Sequence, residues 1–360
     1  MQKHTYNAIG LMSGTSLDGL DIAFCKFELL SNQKWEWEVL NFDTKPYPED
    51  MKSKLSESIK LNGLDLNILD VALGRWMGEA VKEFITENKL KVDFVASHGH
   101  TVFHVPENHL TLQIGNPNFI HAITGCPVIS DFRTLDIAKG GQGAPLVPIG
   151  DALLFNEYDF CINLGGIANL SYQNEENERI AYDICACNIL LNRLANLKDL
   201  EYDDKGLIAK SGEVINSLLG VWNEFSFLKK KSPKSLGIEQ IEPDILSKID
   251  QSKYSLEDML ATAVEHIATQ IHDVLVSAKK GGKVLLTGGG AFNHFLIERL
   301  QSKLDHNFEF VVADQKIVNY KEALIFAFLG VLNVRNEWNT LASVTGAHSN
   351  TVSGQKLGDI

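Results

Sequence analysis

Directly between two runs of strand-forming residues the chain carries Ser13-Gly14-Thr15-Ser16-Leu17-Asp18-Gly19-Leu20-Asp21. The segment has the parts of a phosphate cradle. Its glycines permit positive φ and let backbone N–H groups converge on an anion, its hydroxyls add donors, and Asp18 or Asp21 could hold Mg2+ through water. An ordinary hairpin turn is the competing reading, because Gly, Ser and Asp are the common turn residues. A Walker-type loop is excluded, since no Gly-Lys-Ser or Gly-Lys-Thr occurs in the chain. Recurrence favours the cradle: Leu164-Gly165-Gly166-Ile167-Ala168-Asn169 is a second Gly turn between strands, and Leu286-Thr287-Gly288-Gly289-Gly290-Ala291-Phe292-Asn293 is a third Gly cluster, at a strand end before a helix. Two phosphate hairpins, one per lobe, with a Gly-rich turn beside the adenosine, describe an α/β, two-lobed fold of the actin-like and hexokinase-like (ribonuclease H-like) type, with a nucleotide cleft between the lobes.

Other polar residues stand where α/β proteins place ligands, just past strand ends. Ser97-His98-Gly99-His100-Thr101 follows the apolar strand Val92 to Ala96 and reads as a binding loop. His98 is either a core-satisfied histidine or a donor to a ligand. Asp131-Phe132-Arg133 follows the strand Val128 to Ser130 and reads as a structural ion pair near a hinge or as a binding pair. On local pattern alone Asp183 is a turn or N-cap residue before a helix Ile189 to Leu194, and Glu322 is a solvated helix residue. Lys229-Lys230-Lys231, with Lys234 just beyond, reads as a solvated surface loop.

The elements that must position these residues are β and α mixed in both halves. Ala8 to Met12, Leu20 to Phe27 and Trp35 to Phe42 read as antiparallel strands. Helices are expected over Pro48 to Lys60 and over the apolar periodicity from Leu66 to Asn88. Phe160 to Ser171 echoes Ile9 to Ala23 as a weak internal repeat. Ser255 is a good N-cap for a helix running to about Lys279. A strand Val284 to Thr287, a helix after Phe292, a strand Phe308 to Val312 and an apolar helix from Glu322 to Val334 complete the order. The expected domains are residues 1–130 and 131–360, with the C-terminal tail returning to the first lobe. The Gly-rich run Lys139 to Ala144 looks like the crossing between lobes, with Gly140, Gly141 and Gly143 as its hinge.

Composition bounds the partners. With 33 Lys plus Arg against 46 Asp plus Glu, the 360 residues carry a formal charge of -13, and 44% of them are hydrophobic. A globular chain of this size buries its own core. The acidic balance argues against nucleic acid and against anionic membrane surfaces. The apolar stretch Ala323 to Leu332 is shorter than a bilayer span. Five cysteines, an odd number, with no signal segment at the start, point to a reducing, cytoplasmic setting.

The ordered motifs resemble the 1,6-anhydro-N-acetylmuramic acid kinase family over nearly the whole chain. The resemblance rests on Gly10 to Asp21, Ser97-His98-Gly99 with Thr101, Gln113-Ile114-Gly115-Asn116-Pro117, Asp131-Phe132-Arg133 and Gly140 to Pro148. It continues through Asn163-Leu164-Gly165-Gly166 with Asn169, Pro233-Lys234-Ser235, and Gly288 to Asn293. It implies an ATP- and Mg2+-dependent kinase of peptidoglycan recycling that opens the anhydro ring with water and phosphorylates O6. The family's catalytic base lies in an Asp-x-Gly-Pro-x-Asn segment; the matching run here is Tyr182-Asp183-Ile184-Cys185-Ala186-Cys187-Asn188, in which Asp183 and Asn188 fit and the Gly and Pro do not. The resemblance thus makes Asp183 the base, with Asp131 the runner-up. Gly14 to Asp21, Gly165, Gly166 and Gly288 to Gly290 become nucleotide-binding residues, and Asp18 and Asp21 the metal-side carboxylates. His98, Asp131, Arg133 and Glu322 become candidates for the sugar, with Arg133 binding its lactyl carboxylate bidentately. Lys234 gains a cleft role beside its surface reading. Two other readings stand: a conventional sugar or acid kinase of the same fold, and a nucleotide-binding sensor without turnover. The expected partners are the anhydro-amino sugar and ATP, with a homodimer left open.

Overall fold

The computed structural model describes residues 4–14, 17–304 and 306–360. The chain divides into two compact units, one of Met1–Leu154 with Tyr320–Ile360 and one of Phe155–Asn319. In the first, β1 (Thr5–Ser13), β2 (Leu20–Leu29) and β3 (Trp35–Lys45) form an antiparallel meander. β4 (Phe94–Val105) and β6 (Val128–Ser130) then add parallel to β1, while β5 (Leu110–Ile114) folds back on β4 and β12 (Gln355–Leu357) closes the far edge. In the second unit β7 (Phe160–Leu164), β8 (Ile167–Gln173) and β9 (Arg179–Ala186) repeat the meander, and β10 (Gly282–Thr287) and β11 (Phe308–Val312) repeat the parallel addition. The first sheet therefore runs β3-β2-β1-β4-β6, with β5 as a side hairpin on β4 and β12 added at the edge, and the second runs β9-β8-β7-β10-β11 in the same pattern. This doubled ribonuclease H-like topology is the structural content of the echo between Ile9 to Ala23 and Phe160 to Ser171.

Each sheet is covered by helices whose apolar stripes the sequence announces. The helix Gly63–Asn88 buries Leu66, Leu69, Leu73, Met77, Val81 and Phe84. Leu256–Ala278 starts at Ser255, whose Oγ accepts the Asp258 N–H at 3.1 Å, and buries Met259, Ala263, Ile267, Ile271 and Leu275. The helix Gln315–Val334 begins seven residues earlier than expected. Among the described residues it alone is long and apolar enough to cross a membrane, and 72% of its most apolar window is buried. From Tyr320 on it is a core helix of the first unit: a Cβ on Gly10 of β1 would stand 1.8 Å from the Ala323 carbonyl oxygen, and one on Gly330 2.6 Å from Phe94. Glycine at these positions sets the close approach of helix and sheet.

Three expectations change. Residues 97–101 continue β4 instead of forming a loop, because β5 supplies a partner that pairs His100 with Ile114 and Thr101 with Gln113. The boundary after residue 130 moves to Leu154, since residues 131–154 belong to the first unit. The Gly-rich run is likewise interior to that unit. The buried Asp136 ties it down, its Oδ2 accepting the Gly143 N–H at 2.8 Å and its Oδ1 the Thr345 hydroxyl at 2.8 Å.

Candidate active site

In the first unit the carboxyl ends of three neighbouring parallel strands, β1, β4 and β6, meet. β1 ends at Ser13, whose register partners are Leu20 on β2 and His100 on β4. The hairpin that follows returns through Leu17, in the left-handed region at φ 58°, to Asp21. Thr15 and Ser16 lie outside the described residues. Asp21 Oδ1 accepts the Thr44 hydroxyl at 2.6 Å, and burial, with Asp18 adding to it, raises the Asp21 carboxyl above its ordinary range. No group of three metal-ligating side chains occurs among the described residues. Two adjacent carboxylates fit the way Mg2+ is usually held, by one or two carboxylates with phosphate oxygens and water, and do not form a cage of their own.

Past β4 and β6, the Arg133 guanidinium is held on two sides. Its Nε and Nη2 stand 3.0 and 2.9 Å from His98 Nε2, and its Nη1 donates to the Gly143 carbonyl at 2.6 Å. His98 Nδ1–H donates to the Gly99 carbonyl at 2.9 Å, so both ring nitrogens are engaged. This corrects the sugar-donor reading of His98: the ring, kept neutral by burial and by Arg133, positions that arginine. Burial brings the Arg133 pKa down to about 10, and Glu322 opposes the fall. The arginine's Nε–Nη2 edge is occupied, so a bidentate anion would have to use the Nη1–Nη2 edge, which retains two of the five N–H donors. Glu322 is solvent-accessible yet crowded enough that desolvation raises its carboxyl, with Arg133 pulling it down and Asp21 adding to the rise. Asp21, Arg133 and Glu322 thus share one electrostatic neighbourhood.

Asp131 does not join them as a free carboxylate. It stands at φ 59°, its Oδ1 accepts the Thr134 N–H at 3.2 Å, and its Oδ2 accepts the Gln355 amide at 2.9 Å. The side chain shapes the turn after β6 and ties β12 to it, with one hydrogen bond on each oxygen.

In the second unit a single row of residues crosses four strands: Asp183 on β9 pairs with Asn169 on β8, which pairs with Asn163 on β7, which pairs with Thr287 on β10. The second and third Gly clusters meet at the ends of β7 and β10. Gly288 has φ 78°, and a Cβ there would lie 2.5 Å from Asn163 Oδ1, so this crossing excludes any larger residue. A Cβ on Gly289 would have as its nearest neighbour Asn188 Nδ2 at 3.8 Å, which leaves backbone open to an approaching group. Asn188 links the clusters to β9: its N–H donates to the Gly165 carbonyl at 3.1 Å and its Nδ2 to the Leu164 carbonyl at 3.0 Å.

Asp183 is a strand residue, not an N-cap. The helix Asn188–Ala195 starts five residues later. β9 is an edge strand, and the segment 234–236 runs beside it. The Asp183 N–H donates to the Lys234 carbonyl at 3.1 Å, and its Oδ2 accepts the Leu236 N–H at 2.8 Å and the Ser235 hydroxyl at 3.2 Å. Oδ1 has no partner among the described residues. Burial raises this carboxyl above its ordinary range, against the two hydrogen bonds and the nearby Lys234 charge. Lys234 itself is half-buried over the Phe227 ring at 4.6 Å and the Tyr182 ring at 5.8 Å, so it is part of this site and not of a solvated lysine loop. Cys185 and Ala186, which stand where the family pattern has Gly and Pro, lie in β9 without a left-handed dihedral. The strand geometry makes no demand that only glycine could meet.

The sequence reading missed Tyr47 and named Ser13 and His100 only as members of the cradle and the binding loop; the three form a buried chain beside the first hairpin. The Tyr47 hydroxyl donates to Ser13 Oγ at 2.6 Å, and Ser13 Oγ lies 2.9 Å from His100 Nδ1. Strand alternation hides them: Leu11 pairs with Ser97 and Ser13 with His100, a two-residue step on β1 against three on β4, so the bulge at Gly99 turns His100 away from the face of His98.

The family model for anhydro-N-acetylmuramic acid kinase matches residues 6–358. The chain is 34% identical over 380 residues to the anhydro-N-acetylmuramic acid kinase of Bacillus thuringiensis (strain Al Hakam), covering 98% of each chain. It is 34% identical over 374 residues to the protein of the same name from Bacillus anthracis (strain CDC 684 / NRRL 3495), covering 96% of this chain and 97% of that one. Among solved structures, the activator of the 2-hydroxyisocaproyl-CoA dehydratase from Clostridium difficile with bound ADPNP aligns with a TM-score of 0.46 at 13% identity, over 92% of this chain and 97% of that one. With a family match across nearly its whole length and relatives at this identity and coverage, the chain belongs to the anhydro-N-acetylmuramic acid kinase family.

Proposed function

We propose that this protein is a kinase that opens the 1,6-anhydro ring of anhydro-N-acetylmuramic acid with water and transfers the γ-phosphoryl group of ATP to the released O6, in cell-wall recycling. The observation that carries the reading is Asp183: one carboxylate oxygen is clamped by Ser235 and Leu236, the other is free, and burial raises its affinity for a proton. In this reading the free Oδ1 takes a proton from water as the water oxygen bonds to C1 and the C1–O6 bond breaks; O6 then bonds to phosphorus. Bound ATP supplies the phosphoryl group, and Mg2+ neutralises charge on its phosphates. Gly14 and Asp18 to Asp21 on one hairpin, Gly165 and Gly166 on the other, and Gly288 to Gly290 are the residues assigned to hold the nucleotide, with Asp18 and Asp21 on the metal side. Arg133, held by His98, is assigned to the lactyl carboxylate through its open edge, and Glu322 to a sugar hydroxyl. Five cysteines with no disulfide among them support a cytoplasmic setting.

The test is ATP consumption with anhydro-N-acetylmuramic acid, run beside glucose and N-acetylglucosamine, in 18O-labelled water. The expected result is sugar-dependent ADP release with the label on C1 of the phosphorylated product. Product without label, after spontaneous anomeric exchange is subtracted, would point to a conventional kinase in which Asp183 deprotonates a hydroxyl. Nucleotide binding without any product would point to a sensor.

A further inference from the structure

The buried chain beside the first hairpin assigns a role to a histidine outside the family motifs quoted above. Tyr47, Ser13 and His100 are all buried, with relative exposures of 7%, 2% and 3%. Tyr47 packs against Trp76 with ring centroids 4.9 Å apart and the rings tilted by 40°, and burial pushes its phenol up to about 12, so it stays a donor at neutral pH. The charges of Asp18 and Asp21 on the hairpin add to that rise. The Tyr47 hydroxyl donates to Ser13 Oγ, which leaves the Ser13 hydroxyl placed to donate its own hydrogen to His100 Nδ1, 2.9 Å away. An imidazole that accepts at Nδ1 and is kept neutral by burial carries its hydrogen on Nε2. That nitrogen has no partner among the described residues. His100 lies on β4 directly across from Ser13, the last residue of β1 before the hairpin.

We propose that His100 is a phosphate ligand: the Tyr47–Ser13 relay fixes it as a neutral Nε2–H donor, which binds a non-bridging oxygen on the phosphate chain of the nucleotide. The proposal rests on the kinase reading. A phosphate oxygen fits better than a sugar hydroxyl because it needs only a donor, whereas a hydroxyl seeks an acceptor as well, and this nitrogen offers none. Neutrality lets the ring hold the phosphate chain without a further fixed charge to retain the diphosphate product. Ser13 and Tyr47 are positioning residues, acting through the ring.

The test uses the full chain with Mg2+ and calorimetry of a non-hydrolysable ATP analogue and of adenosine. His100→Phe is expected to weaken the analogue by about 10- to 100-fold, the range for a hydrogen bond to a charged group, and to leave adenosine unchanged. His100→Gln, whose amide can accept from Ser13 and donate outward, is expected to stay within about 3-fold of wild type, well inside that loss. Nitrogen-15 spectra of the free protein should show the Nε2–H tautomer for His100, and Tyr47→Phe should mix the tautomers and weaken the analogue several-fold. If His100→Phe fails to fold, the Gln and Tyr47→Phe variants and the tautomer decide. Wild-type affinity in His100→Phe, while Gly14→Val loses the analogue, overturns the proposal and leaves the nucleotide reading standing. Retained affinity in both variants overturns the nucleotide reading itself. An Nδ1–H tautomer, or a raised KM for the sugar with unchanged nucleotide affinity, also overturns the proposal.

Discussion

Replacing Asp183 by Asn separates chemistry from architecture. The amide keeps an oxygen where Oδ2 accepts from Leu236 and Ser235, and it places its NH2 where Oδ1 has no protein partner. No new clash or unpaired buried donor results. The folded state already disfavours this charge, since burial outweighs both hydrogen bonds and Lys234 and raises the carboxyl. A group with a raised folded pKa contributes stability that is fully present below its unfolded value and lost as pH rises through the folded value. Asp183→Asn should therefore melt no lower than wild type at pH 7, and its advantage should shrink as pH falls toward 4. Turnover should drop by about 10²- to 10⁴-fold, the usual worth of a general base and equivalent to about 3 to 5.5 kcal/mol of barrier, with nucleotide affinity little changed. The pH profile gives a second reading of the same carboxylate. The acid limb of kcat should lie above the ordinary aspartate range, and Ser235→Ala, which removes a contact that lowers the pKa, should move that limb to higher pH. Coupled-enzyme ADP release across pH 4 to 9 with both variants, alongside calorimetric melting, is the assay. Near-normal kcat in Asp183→Asn, or a limb that moves down in Ser235→Ala, would refute the reasoning.

Gly10→Val forces a side chain into the Ala323 carbonyl at the contact of β1 with the core helix, and it should cost at least about 3 kcal/mol, read as a lower urea midpoint or loss of folded protein; a wild-type midpoint would show that the helix does not pack there. Cys25, Cys161, Cys185 and Cys187 are buried thiols in no disulfide, with burial raising the Cys25 and Cys185 thiols and pushing Cys187 up to about 12. A thiol reagent should thus titrate at most Cys126 in the native protein and all five in denaturant; rapid native reaction at Cys185 or Cys187 would mean that β9 opens readily.

Much of this protein is legible locally. The three Gly turns, the Ser255 cap, the strand Phe308 to Val312 and the stripes of the long helices follow from backbone freedom, capping chemistry and periodicity, all of which act over a few residues. The doubled meander is legible too, as the echo between two stretches about 150 residues apart. The roles of individual polar side chains are a different matter, because each is decided by a partner remote in sequence. His98 and His100 look alike in the sequence; Arg133 engages one as its support, and Ser13, 87 residues away, engages the other and leaves its outer nitrogen open. Asp183 is preferred over Asp131 in the sequence only through the resemblance; in the structure Thr134 and Gln355 engage both oxygens of Asp131, while Ser235 and Leu236, more than 50 residues on, engage only one of Asp183. Hydrogen-bond capacity is written into each residue type, but which atom remains unspent after folding is settled only when the tertiary structure brings distant donors and acceptors within about 3 Å of one another.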